Sequence, residues 1–154
     1  MAKLLNKISH MRIWFLPLCL GILLISCHAN NQYINRKADK EDGEQVLKKF
    51  YTYIENDSLN ACLALFSEEF LAVTSKQDLT RHFNKSKQKL GSLKSTKLKK
   101  WETRVVEGTD PMGNYKFVYE VQYVNSATSE AFELIRQKDN NIKIISYQVS
   151  SDKL

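Results

Sequence analysis

A chain of 154 residues has room for one domain, and a hydrophobic share of 43% with 26% charged residues excludes a wholly disordered or fibrous protein. The formal net charge is +6, but part of that excess sits in a basic, apolar N-terminal stretch that does not belong to the domain. What remains is too weakly basic to argue for a nucleic-acid partner on charge alone.

Lys3, Lys7 and Arg12 lead into Ile13–Ile25, an apolar run broken only by Pro17, Cys19 and Gly21, with no acidic residue in 1–26. That run is about 13 residues, short of the roughly 20 that a spanning helix needs, so it reads as a signal peptide. Leu24-Ile25-Ser26-Cys27 resembles the lipobox of bacterial lipoproteins, in which a small residue precedes a cysteine that is acylated before cleavage. The resemblance implies a signal peptide over 1–26 and a mature chain starting at a lipid-carrying Cys27, with thioether-linked diacylglycerol and a further palmitate-type acyl chain. Several acyl chains together make a durable membrane anchor. The competing reading is an uncleaved anchor helix extended back to Ile8. Loss of the three N-terminal cations lowers the net charge to +3. Cys62 is then the one thiol left and is expected in the core.

Residues 27–43 are polar without sustained apolar periodicity and are expected to form a flexible tether. From Glu44, Val46, Leu47, Phe50, Tyr51 and Ile54 recur at helical spacing and predict a first helix. Asp57 or Ser58 can cap a short second helix carrying Leu59, Cys62, Leu63 and Phe66, followed by Glu68-Glu69 and then Phe70 and Leu71. Thr74 or Ser75 caps a third, with Leu79, Phe83 and Leu90 inward and Gly91 as its stop. Thereafter the period becomes two. Strands are expected over Ser95–Glu107, along the stripe Tyr115, Phe117, Tyr119, Val121 and Tyr123, over Glu130–Gln137, and over Ile142–Val149. The expected architecture is α+β, with three N-terminal helices packed on a curved four-stranded antiparallel sheet over residues 44–150 and a tail at 151–154.

That order resembles the nuclear-transport-factor-2-like superfold, also called the cystatin-like cone. The pieces that carry the resemblance are the first helix, the Asn56-Asp57-Ser58 break with Ala61–Phe66 and Phe70, the Leu90-Gly91 helix end, and the closing Ile142–Tyr147 strand. It implies a pocket between sheet and helices, used in some members for isomerase or dehydratase chemistry and in others for binding or dimerisation. Fold membership does not itself confer a function.

Tyr51, Trp101, Phe117, Tyr119 and Tyr123 are the candidate pocket-lining residues, since a phenol offers apolar area and a hydrogen bond together. They serve equally as the sheet's share of the core. Glu120 and Glu133 alternate away from their strands' apolar faces and are poor buried acids. His82 stands alone beside Phe83, and no partner at metal-ligand spacing accompanies it, so neither a metal nor another cofactor is expected. Lys85, Lys87, Lys89, Lys94, Lys97, Lys99 and Lys100 form a basic run without an intervening acid, a solvated face or a docking surface for anionic headgroups or an acidic partner.

These features together lead to the expectation of a non-enzymatic envelope lipoprotein, held by lipid on Cys27 at the outer membrane and facing the periplasm. It would bind an envelope protein or a small molecule, with no nucleic-acid partner, and the open sheet face leaves a homodimer as an option. The alternatives are a cone-pocket isomerase or hydrolase and a toxin-neutralising immunity-type lipoprotein.

Overall fold

The computed structural model describes residues 30–154, and both the expected signal peptide and Cys27 lie outside the described residues. A strand β1 (Asn31–Ile34) precedes four helices, α1 (Lys37–Glu55), α2 (Leu59–Leu63), α3 (Glu68–Val73) and α4 (Lys76–Leu90). Four strands follow: β2 (Leu93–Glu107), β3 (Met112–Tyr123), β4 (Ala127–Arg136) and β5 (Ile142–Ser150). All five strands form one antiparallel sheet in sequence order.

The class is α+β, but the expected three helices on four strands must be corrected. Phe70 and Leu71 belong to a helix of their own, α3, because Ser67 accepts from the Phe70 N–H and opens a new helical start. The sheet gains β1 from the segment expected to be tether. Its four residues have no apolar alternation, and their place is set by pairing with Arg104–Glu107 and by Asn35. Asn35, at φ 53°, accepts the Thr103 N–H through its side chain and donates its own N–H to the Thr103 carbonyl, both at 2.9 Å. Asparagine tolerates that left-handed backbone better than most residues.

Helix α1 also starts earlier than the apolar pattern, at Lys37 instead of Glu44. Its first two turns are built from charge. Lys37–Glu41 and Lys40–Glu44 pair one turn apart, and Arg36 clasps the fully buried Asp39 through two bonds of 3.0 and 2.7 Å. Gly43 lets this part of the helix lie directly on β3, since a Cβ there would stand 2.5 Å from the Phe117 ring. An apolar search passes over such a segment because its inward residues are an aspartate and a glycine.

Elsewhere the periodicities hold. On β3 the residues Tyr115, Phe117, Tyr119, Val121 and Tyr123 all point inward, as their stripe predicts. Ser75 caps α4 by accepting the Asp78 N–H at 3.1 Å, and Gly91 stops it at φ 77°. Phe50 of α1 sits at the centre of the core, with the rings of Tyr51, Phe66, Phe83, Phe132 and Tyr147 at centroid distances of 5.1–6.2 Å. The ladders shift register at Leu98/Lys100 and at Glu133/Leu134, irregularities of the kind that bend a strand locally. Arg136 ties α1 to the sheet, donating to Tyr115 Oη at 2.8 Å and to Asp42 at 2.6 Å.

Candidate functional site

The chemistry of the interior centres on Glu130, a residue on β4 that is fully buried. Strand β4 begins at Ala127, three residues before the expected start, and Thr128, Glu130, Phe132 and Leu134 all face inward. A carboxyl group taken out of water needs hydrogen bonds in compensation, and four hydroxyls supply them. Tyr123 Oη and Thr128 Oγ1 donate to Oε1 at 2.8 and 3.0 Å, while Tyr51 Oη and Tyr147 Oη donate to Oε2 at 3.2 and 3.1 Å.

Burial raises the pKa of Glu130, and the four hydroxyls only partly offset that. The phenols of Tyr51, Tyr123 and Tyr147 are driven above their ordinary range by burial first and by the neighbouring carboxyl next. The sign of the pH effect follows. Between the ordinary carboxyl value near 4.5 and its raised folded value, the folded chain keeps a proton that the unfolded chain has released. Stability from this group therefore falls as pH rises through that window, by up to about 1.4 kcal/mol per pH unit. Glu130→Gln, which mimics the protonated acid, is expected to remove this slope. Denaturant titrations of both proteins across that window test it, and parallel stability curves would contradict it.

Above this network a cavity of about 230 Å³ opens between α1, α4, the start of β2, the end of β3 and Tyr147 of β5. Phe50, Ile54, Phe83 and Leu93 give it apolar walls, and Tyr123 and Tyr147 bring two of the Glu130-bound phenols to its surface. Tyr147 lies within the body yet is only half-buried, as expected of a ring that faces a hollow. Ser86 of α4 completes the lining. Its Oγ is buried and bonds to nothing, not even the carbonyl one turn back that a helical serine commonly uses. Glu55 and Lys87 line the cavity too, with Lys87 held by Asp57.

Of the five residues expected to line a pocket, Tyr123 alone reaches this cavity. Tyr51 and Tyr119 border a wide groove between α1 and β2, along with Glu41, Glu44, Lys48 and Lys94. Phe117 is core, packed beneath Gly43. Trp101 is half-buried on β2, with the Lys40 ammonium 5.8 Å from its ring. Sequence reasoning missed Glu130, Tyr147 and Ser86. For Glu130 a signal existed: it lies two and four residues before Phe132 and Leu134, on the same face.

His82 stands edge-on to Tyr147, 6.1 Å between ring centroids, outside the cavity lining. Burial and then Lys85 lower its pKa, which favours the neutral form. Cys62 is fully buried, and burial pushes its thiol up to about 12, so it is chemically inert. No group of three or more metal-ligating side chains stands together among the described residues. In the basic run Lys87 is paired with Asp57 and Lys99 with Glu120, whereas Lys85, Lys89, Lys94, Lys97 and Lys100 have no ion-pair partner among the described residues. No helix among the described residues is long and apolar enough to cross a membrane. Comparison of the chain with protein-family models and with curated proteins finds no match.

Proposed function

We propose that this chain is a non-enzymatic envelope lipoprotein, anchored by lipid on Cys27, whose nuclear-transport-factor-2-like domain binds a small ligand in the cavity between α1, α4 and the sheet. The observation that carries the reading is the unpaired Ser86 hydroxyl in a hollow walled by Phe50, Ile54, Phe83 and Leu93 and edged by Tyr123, Tyr147, Glu55 and Lys87. A buried hydroxyl without a partner costs stability, and a ligand with one polar group would satisfy it. At about 230 Å³ the cavity falls below the roughly 300 Å³ lower end of drug-sized sites, which suits a single ring or a short chain. Glu130 serves as the fixed point that holds Tyr123 and Tyr147 in place. Both its oxygens are occupied by hydroxyl donors and it does not itself line the cavity, which favours binding over acid–base catalysis.

A titration with 4-nitrophenol, a single ring with one hydroxyl, tests this. The wild-type chain is expected to bind it saturably. Ser86→Phe, which fills the hollow, should weaken binding by at least about tenfold, a loss of roughly 1.4 kcal/mol. Ser86→Ala is expected to weaken binding by about twofold to tenfold, the value of one hydrogen bond. The same variant should raise the stability of the free protein by about 0.5–1 kcal/mol, since it removes an orphan hydroxyl and improves helix propensity. No binding at millimolar probe, or equal binding by wild type and Ser86→Phe, would overturn the reading.

A further inference from the structure

The point at which the chain enters the folded body is fixed by two independent contacts. Strand β1 runs antiparallel to the end of β2, with Asn31 opposite Glu107. One residue earlier, Asn30 accepts the Thr109 N–H through its side chain at 3.1 Å. The chain therefore joins the domain at the β2–β3 hairpin, around Gly108–Pro111. Only His28 and Ala29 separate Asn30 from Cys27, and three Cα–Cα steps reach no further than about 11 Å. The turn that links β4 to β5 lies at this same end, since Gly113 pairs with Arg136.

The cavity lies at the other end. Its lining includes Leu93 and Tyr123, which pair at the far end of the β2–β3 ladder from Val106 and Met112. It also includes Ile54 and Glu55 in the last turn of α1, a helix whose 19 residues span about 28 Å at 1.5 Å each. The lysine run spreads from this far end to the middle of the sheet, on the second half of α4 and the first half of β2.

From this geometry we infer that the hairpin end of the domain, Gly108–Pro111 with the turn Lys138–Asn141, docks on the phospholipid headgroups of the anchoring membrane, so that the cavity and the lysine cluster face away from it. The inference rests on the lipid anchor at Cys27. Acyl chains buried in the hydrocarbon hold Cys27 at the interface, and the short connection brings the hairpin there with it. Met112, 47% exposed at the hairpin, and Ile34, 58% exposed on β1, lie on this end of the domain. The lysines stand too far out to be held by the same bilayer, because charge is screened within about 8 Å at physiological ionic strength. They remain available to an acidic partner approaching from the opposite side.

The test uses the full chain expressed in a bacterial host, extracted with its lipid and reconstituted into phosphatidylethanolamine–phosphatidylglycerol vesicles containing a lipid with a nitroxide on its headgroup. A thiol-reactive fluorophore is placed at Asp110→Cys, at Lys138→Cys or at Lys89→Cys, all exposed positions, while the fully buried Cys62 takes no label. Labels at 110 and 138 are expected to lose roughly half or more of their emission, because a reach of about 11 Å keeps them at the headgroups, and the label at 89 to lose almost none. Equal quenching at all three positions, or stronger quenching at 89, in protein whose intact mass includes the lipid would overturn the orientation and leave the anchor standing. An intact mass without lipid would overturn the anchor, and the orientation with it.

Discussion

Replacing Glu130 by alanine is expected to cost on the order of 3–5 kcal/mol and to lower the thermal midpoint by roughly 10–20 °C. The side chain is fully buried and accepts from four hydroxyls. Alanine leaves a hollow in which those hydroxyls have lost their common acceptor, and each unpaired buried hydroxyl costs about 1–3 kcal/mol. The total falls short of their sum because Tyr51, Tyr123 and Tyr147 can turn toward one another. Glu130→Gln keeps the shape and one of the two acceptor oxygens, and its amide N–H groups can donate to hydroxyls that turn round, so it is expected to lose less than alanine, about 1–2 kcal/mol near neutral pH. Denaturant unfolding of the two variants side by side separates the explanations. Equal losses would mean that the carboxyl is required as a charge, while a negligible loss for alanine would mean that the network contributes nothing.

Phe50→Ala carries the second large effect, an expected loss of about 3–5 kcal/mol. Phe50 is 1% exposed and touches rings from α1, α4, β4, β5 and the segment after α2. Its removal deletes buried apolar area and the edge-to-face contacts together. It also enlarges the cavity, which Phe50 lines. The account therefore expects a destabilised protein that admits a bulkier probe, such as 4-nitrobiphenyl, which wild type excludes. Calorimetry and a binding titration check both halves. A loss under about 1 kcal/mol, well below the usual range for such a deletion, would place the centre of the core elsewhere.

Much of the sheet and of α4 was legible in the residues, because their buried positions are apolar and keep a regular period. The alternation along Tyr115–Tyr123 and the Ser75 and Gly91 helix ends lie where the pattern puts them. What escaped has a common cause. Asp39, Gly43 and Glu130 are buried without being apolar, so a search for hydrophobic periodicity passes over them. Asp39 depends on Arg36, itself bound to Glu107 across the sheet, and β1 on Asn35 and the edge of β2. Such pairings span about seventy residues and exist only once the chain has folded. Three tyrosines on core-facing positions could have hinted at Glu130, since buried phenol hydroxyls need an acceptor. Ser86 carries no signal of its own, because a serine in a polar helix is ordinary until its oxygen proves to be enclosed and unpaired.

The proposed envelope location, and with it the proposed orientation on a membrane, rest on lipid attachment at Cys27. Intact-mass measurement of the wild-type chain and of Cys27→Ala, each expressed in a bacterial host, tests that chemistry most directly. The account predicts that wild type lacks residues 1–26 and carries a diacylglycerol with a further acyl chain, while Cys27→Ala retains the N-terminal segment and carries no lipid. A wild-type chain with a free Cys27 thiol, or one cleaved at another bond, would contradict it.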